Sequence, residues 1–223
     1  HHLMRIHAVM GGLDGNDDGR ADLLFRHAVT GHTVAWLIGG TARAGTATFS
    51  TDANWSAVGV GDVDADGHSD LVMRHAGTGA TAVWLVKQGA VVQSAVLYSD
   101  KSDVVTHVGD FNGDAMDDIL WRHSSGALTA WTSTGSGFTG SFPVVNVGTD
   151  WQVAGTGDFN DDGFDDLLWR NSNGAVAVWT SNGGSFAGAA GFNASVSSDW
   201  QVADVGDYDG DGKADYGVFR NGF

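Results

Sequence analysis

Aspartates at alternate positions of a nine-residue stretch recur five times along the chain: DGNDDGRAD (Asp14 to Asp22), DVDADGHSD (Asp62 to Asp70), DFNGDAMDD (Asp110 to Asp118), DFNDDGFDD (Asp158 to Asp166) and DYDGDGKAD (Asp207 to Asp215). In a tight loop, alternate side chains of the pattern D-x-[DN]-x-D turn their oxygens toward one centre. The expected ligands at positions one, three, five and nine are Asp14, Asn16, Asp18 and Asp22 in the first loop, and Asp62, Asp64, Asp66 and Asp70 in the second. The third supplies Asp110, Asn112, Asp114 and Asp118, and the fourth Asp158, Asn160, Asp162 and Asp166. The fifth supplies Asp207, Asp209, Asp211 and Asp215. Position seven (Arg20, His68, Met116, Phe164 and Lys213) is expected to offer its backbone carbonyl, and the ninth-position Asp to close the sphere in bidentate fashion. Six or seven hard oxygens suit Ca2+ better than Mg2+ or a soft transition metal. Up to five Ca2+ ions are therefore expected.

The competing reading is an Asp- and Gly-rich turn with no ion. Carboxylates about 4 Å apart repel by roughly 4 kcal/mol per pair at an effective dielectric near 20, which argues against three or four of them converging without a cation. The logic is that of the EF-hand loop, but the loop is shorter, has no Glu at position twelve and lacks a flanking helix pair, so an EF-hand is rejected. The third loop has Ala115 where the others have Gly at position six. A non-Gly residue at positive φ is strained, so this site is expected to be the weak one.

First positions of the loops step by 48, 48, 48 and 49 residues, a period that belongs to solenoids, propellers or arrays. Each unit reads in one order. An apolar stretch (WSAVGVG from Trp55, WQVAGTG from Trp151, WQVADVG from Trp200) precedes the loop, and a short strand ending in Arg26, Arg74, Arg122 or Arg170 follows it. A turn with Gly31, Gly79, Gly126 or Gly174 then leads to a strand closing on Trp36, Trp84, Trp131 or Trp179, and a Gly/Ser/Thr/Val-rich fourth stretch ends the unit. Four antiparallel strands per unit predict an all-β fold, a β-propeller of four-stranded blades. The units run 5–50, 52–98, 101–147 and 150–197, and a half unit occupies 200–223 of a single repeat domain; the His1-His2 start is read as tag-derived. The half unit leaves three readings open: an incomplete fifth blade, a piece of a longer ring, or chains that complete one another.

Composition narrows the function classes. All 27 acidic residues are Asp, 17 of them at ligand positions of the loops, so much of the net charge of −16 is site charge. Such a surface repels nucleic-acid phosphates. There is no Cys for disulfides or zinc-thiolate sites. No run of 18 apolar residues predicts membrane insertion.

The segments GDVDADGHSDLVMRHAGTGATAVW (Gly61 to Trp84) and GDFNDDGFDDLLWRNSNGAVAVW (Gly157 to Trp179) resemble whole motifs of the FG-GAP/VCBS repeats of integrin-α-type β-propellers, and the likeness runs along nearly all of the chain. GDYDGDGKADYGVFRNG, from Gly206, is similar to a neighbouring subtype and has one extra residue before Arg220. The first unit departs from the pattern with His7 where Trp55, Trp151 and Trp200 stand elsewhere. The resemblance implies a loop that joins the first two strands of a blade and binds Ca2+. It also implies an extracellular or surface-exposed module used for adhesion, sugar binding, or as an accessory part of secreted bacterial proteins.

Other recurrent residues read more simply as structure. The Arg set, completed by Arg220, is expected to pair with Asp or stack on Trp rather than form a cationic ring for an anion. The Trp set, with Trp121 and Trp169, is expected in the core between blades rather than against sugar rings. His27, His75 and His123, replaced by Asn171 and Asn221, are expected in turns. No singular acid or base is expected to break the repeat, and no G-x-S-x-G, H-E-x-x-H or P-loop occurs. The chain is thus expected to be non-catalytic, with a glycan or protein as ligand. Two alternatives stand beside this: an accessory or substrate-binding domain of a secreted polysaccharide-active enzyme, and an assembly unit that forms homo-oligomers through its open half blade.

Overall fold

A computed structural model describes residues 6–16, 18–27, 30–50 and 52–220. The tag reading at residues 1–4 and the role given to Asn221 lie outside them, and the side chain of His7 is likewise outside what is described. Short runs of β-branched and aromatic residues between Gly-centred turns form strands throughout, and the described residues contain no helix. The first blade is an antiparallel sheet of β1 (Ile6–Leu13), β2 (Asp22–His27), β3 (Thr33–Gly39) and β4 (Ala42–Ser50), in that order. The second repeats it with β5 (Trp55–Gly61), β6 (Asp70–His75), β7 (Ala80–Lys87) and β8 (Ala90–Ser99).

In the third, β9 (Asp103–Gly109), β10 (Asp118–His123) and β11 (Ala127–Ser133) are followed by an outer strand in two pieces, β12 (Phe138–Ser141) and β13 (Val145–Asn146). Pro143 falls between the pieces; without an N–H it cannot continue the ladder. The fourth blade is regular: β14 (Trp151–Gly157), β15 (Asp166–Asn171), β16 (Ala175–Ser181) and β17 (Phe186–Ser195). Last come two paired strands, β18 (Trp200–Gly206) and β19 (Asp215–Arg220). The expected all-β architecture of four-stranded blades is therefore the one adopted, with a fifth, two-stranded sheet.

Two compact units divide the chain, His1–Ser102 with Ser133–Phe138, and Asp103–Thr132 with Thr139–Phe223. In the first, Leu13, Leu24, Ala35 and Phe49 of the first blade bury against Leu71, Met73 and Val86 of the second. In the second, Phe111, Leu120 and Leu128 meet Leu167, Trp169 and Phe186. On the other face of the fourth blade, Leu168, Val176 and Val178 pack on Val202, Val205 and Tyr216 of the last sheet. Blades thus stack face to face within each unit, so each repeat buries its apolar faces on its neighbours.

The linkers between blades are held from the second strand. Arg26 donates to the Ala53 carbonyl at 2.6 Å, and Arg122 donates to those of Val147, Gly148 and Trp151 at 3.1, 3.1 and 3.3 Å. Arg170 donates to Ser197 and Trp200 at 2.9 and 3.1 Å, and Arg74 to Asp100. The turn glycines meet the same linkers. Gly126 and Gly174 have φ of 96° and 101°, and a Cβ on either would collide with the Val147 or Val196 carbonyl. Only Gly satisfies both demands.

Candidate metal centre

Each acidic loop is wound by its own side chains onto its own backbone. In the second loop, the two oxygens of Asp62 accept the N–H groups of Asp66 and Gly67 at 3.2 and 2.8 Å. Asp64 also accepts from Asp66 at 3.2 Å, and Asp66 from His68 at 3.0 Å. The fifth loop repeats these bonds: Asp207 takes Asp211 and Gly212, Asp209 takes Asp211, and Asp211 takes Lys213. The first and third loops do the same, with Asn16 and Asn112 accepting at position three. In the fourth, Asp158 accepts from Asp162 and Gly163, and Asp162 from Phe164. Each bond occupies one lone pair and aims the carboxylate, and the other lone pairs remain to converge.

Where position three is Asp, they do converge. One oxygen each from Asp62, Asp64 and Asp70 lie within 4.8 Å of one another, as do oxygens of Asp207, Asp209 and Asp211. That donor set is all oxygen and all anionic, which fits a hard divalent cation. Where position three is Asn, its amide donates to the position-five carboxylate instead: Asn112 to Asp114 at 3.0 Å, Asn160 to Asp162 at 2.9 Å, and Asn16 to Asp18 at 3.5 Å. Those loops relieve part of their repulsion internally. The position-seven residues Arg20, His68, Met116, Phe164 and Lys213 all donate their N–H to the position-five Asp.

The ninth-position Asp does more than complete a ligand set. Asp22, Asp70, Asp118 and Asp166 are buried, at 1, 1, 0 and 0% exposure. One oxygen of each accepts the N–H of loop position two: Gly15, Val63, Phe111 and Phe159, at 2.9 to 3.2 Å. In three of them the other oxygen accepts from the third strand: Ile38 at 2.7 Å, Val86 at 2.8 Å and Ser181 at 2.8 Å. Both oxygens are thus engaged, and this residue ties three parts of the blade together. Asp215 keeps the bond to Tyr208 at 3.2 Å, and among the described residues its sheet has two strands, β18 and β19.

A profile described as FG-GAP-like repeat matches residues 110–169 and 158–218, and one described as FG-GAP repeat matches residues 54–86. The chain belongs to the FG-GAP repeat family. Together the matched segments span nearly two thirds of this FG-GAP repeat protein and contain its second to fifth acidic loops. No curated protein shows significant similarity to the chain.

The repeats share a backbone feature that their sequences conceal. Position six has positive φ, as expected: 77° at Gly19, 85° at Gly67, 67° at Ala115, 85° at Gly163 and 90° at Gly212. Position four does too, at 56° for Ala65, 76° for Gly113, 65° for Asp161 and 80° for Gly210. The strain assigned to Ala115 is therefore not peculiar to the third loop, since Ala65 and Asp161 bear the same strain one turn earlier. The third loop needs its Gly at position four because the Phe164 ring lies against it: a Cβ on Gly113 would stand 2.6 Å from a ring carbon.

Electrostatics mark the loops as wanting a counter-charge. Burial, followed by the neighbouring carboxylates of Asp64 and Asp62, outweighs two backbone hydrogen bonds and raises Asp70 to about 7. Asp166 rises to about 6, first through burial and then through Asp162 and Asp158, against its backbone bonds. Asp64 also rises, through burial first and Asp66 next. Lys87 meets Asp66 at 3.2 Å, but both side chains are substantially exposed and the pair contributes little.

The remaining residues singled out in the sequence prove structural, with corrections. Arg26, Arg122 and Arg170 grip linker carbonyls rather than Asp, Arg220 pairs with Asp199 as expected, and Arg122 also stands 5.3 Å over the Trp169 ring, as the stacking expectation had it. Trp121 and Trp169 are buried at 3 and 1% exposure, and the third-strand Trp rings lean on second-strand or first-strand aromatics 4.7 to 6.0 Å away. His27, His75 and His123 accept turn N–H groups through Nδ1, as Asn171 does through its carbonyl oxygen. Two residues break the repeat at one register place: the exposed Asp204, which pairs with Gly217 in the last sheet, and His107. His107 pairs with Leu120 at the register place where Gly59 pairs with Val72 and Gly155 with Leu168. Its Nδ1 is buried without a hydrogen-bond partner, and burial lowers its pKa to about 4. Comparing the units column by column would have shown it.

Proposed function

We propose that this FG-GAP repeat protein is a calcium-stabilised, extracellular, non-catalytic binding module whose acidic loops each take one Ca2+. The convergence of Asp62, Asp64 and Asp70 oxygens within 4.8 Å carries the reading, and Asp207, Asp209 and Asp211 repeat it. FG-GAP repeats are often calcium-binding, typical of extracellular proteins and typically non-catalytic. Among the described residues no helix is long and apolar enough to cross a membrane. Extracellular modules bind Ca2+ with Kd of about 10⁻⁴ to 10⁻³ M, so millimolar calcium fills them.

Calorimetric titration with Ca2+ and thermal unfolding with and without excess EGTA test this. The expected result is saturable binding and a clear fall in Tm on chelation; a superimposable melting curve would sink it. The ligand is taken to be a glycan or protein, and a glycan array run with and without Ca2+ separates the two. Turnover of a polysaccharide by the chain would favour the enzyme-associated alternative instead.

A second reading concerns assembly. Tyr208, at loop position two of the last sheet, is 60% exposed, whereas its counterparts Phe111 and Val63 are 0 and 3% exposed. Strands of a second chain adding to β19 would cover it. Light scattering that shows a monomer at all concentrations rejects this reading.

A further inference from the structure

The two stacked blade pairs are filled differently. Between the third and fourth blades, the Phe186 ring lies 5.4 Å from that of Phe111 and 5.0 Å from that of Phe142, and all three are buried. Strand register identifies their counterparts between the first and second blades. Phe186 pairs with Ser181, and Val91 pairs with Val86; Ser181 and Val86 both donate their N–H to the ninth-position Asp, so Val91 stands in the place of Phe186. Phe111, at loop position two, corresponds to Gly15. Phe142, bonded to Ala130, corresponds to Ala47, which pairs with Ala35.

Three phenyl rings are thus replaced by Gly, Ala and Val. Leu37 takes up part of the space, lying 3.3 Å from where a Gly15 Cβ would be. Beside the Val91 position lies an open cavity of about 330 Å³ whose walls include Phe49, Trp55, Ala82, Trp84, Val91 and Val96. No charged side chain lines it, and Ser94 supplies its one hydroxyl. Val91 and Val96 stand at its mouth, 37 and 67% exposed.

We propose that this cavity binds a small neutral ligand with an aromatic ring of phenyl to indole size. The volume falls in the range of small-molecule pockets, about 300 to 1,000 Å³. The chain itself indicates the occupant, because the Val91 position on the cavity wall is filled in the other blade pair by the phenyl ring of Phe186. Trp55 and Trp84, 6.0 Å apart and tilted by 50°, are both in its wall, and aromatic rings favour such tilted contacts. An anionic ligand is disfavoured by the net charge of −16. The site uses no acidic-loop residue and stands apart from the calcium reading.

The test titrates the neutral fluorescent probe N-phenyl-1-naphthylamine into the Ca2+-saturated full chain, with indole as competitor. Wild type is expected to bind saturably and to release the probe to indole. Val91→Phe, which restores the ring found at Phe186, and Ser94→Phe, at the position paired with Trp84 on the cavity wall, are each expected to weaken binding at least tenfold with Tm unchanged or raised. If one variant fails to fold, the other decides. Absence of saturable binding in wild type, or undiminished binding in the folded variants, overturns the proposal.

Discussion

Asp70 accepts the backbone N–H of Val86 at 2.8 Å, joining the acidic loop to a third strand 16 residues away. Its other oxygen holds Val63 at 3.2 Å. Replacing Asp70 with Ala leaves two N–H groups without acceptors, at about 1 to 3 kcal/mol each. The expected cost is therefore about 2 to 6 kcal/mol even in EGTA. Asp209→Asn, at an exposed ligand position whose acceptor oxygen survives, is expected to leave stability in EGTA unchanged or slightly raised, because it removes one of three converging charges, and to weaken Ca2+ binding. Denaturant unfolding and calorimetry separate the two. Equal losses in EGTA would mean that Asp70 has no anchoring role.

The raised carboxylates set a pH dependence with a definite sign. In the folded chain Asp70 titrates at about 7 and Asp166 at about 6, against an ordinary value of 3.8. Between these values the folded state binds more protons than the unfolded one, so stability falls as pH rises. Metal-free protein is expected to melt at higher temperature at pH 5 than at pH 8. Saturating Ca2+, by supplying the counter-charge, is expected to abolish or reverse that trend. Parallel pH profiles with and without Ca2+ would contradict it.

Strain in the loops is removable. Ala65 and Ala115 sit at φ of 56° and 67°, where a Cβ costs about 1 to 2 kcal/mol and Gly recovers part of it against its greater unfolded entropy. Ala65→Gly and Ala115→Gly are each expected to stabilise by about 1 kcal/mol, read from the denaturation midpoint in saturating Ca2+. Gly163→Ala, with φ of 85°, is expected to move it the other way.

The linker clamp depends on the guanidinium fork. Arg122 reaches three carbonyls of one linker, and bonds to a charged group contribute about 1.5 to 3 kcal/mol each at most. Arg122→Ala is expected to lose about 3 kcal/mol. Lys carries the charge without the fixed donor geometry, so Arg122→Lys should recover less than half. Full recovery by Lys would show that charge alone matters.

Much of the blade was legible along the chain. The 48-residue step, the loop pattern and the turn glycines Gly126 and Gly174 report local matters: how far a strand runs, where φ must be positive and which oxygens a tight loop presents. His107 was legible too, since it and Asp204 stand in a column where Gly59 and Gly155 stand in other units, outside any recognisable motif. The second positive-φ position was hidden because Ala65 and Asp161 do not announce it as Gly does.

Sequence alone determined the repeat, the all-β blades and the five acidic loops, because these follow from residue types at short, regular spacing. Tertiary structure decided what those residues touch. It turned the ninth Asp into a tie to the third strand and set Arg122 and Arg170 on linker carbonyls rather than Asp. It also left a cavity beside Val91, which stands where the other blade pair has Phe186. Partner choice and packing volume arise between strands far apart in sequence, where register and the fit of opposing faces, rather than local pattern, set the outcome.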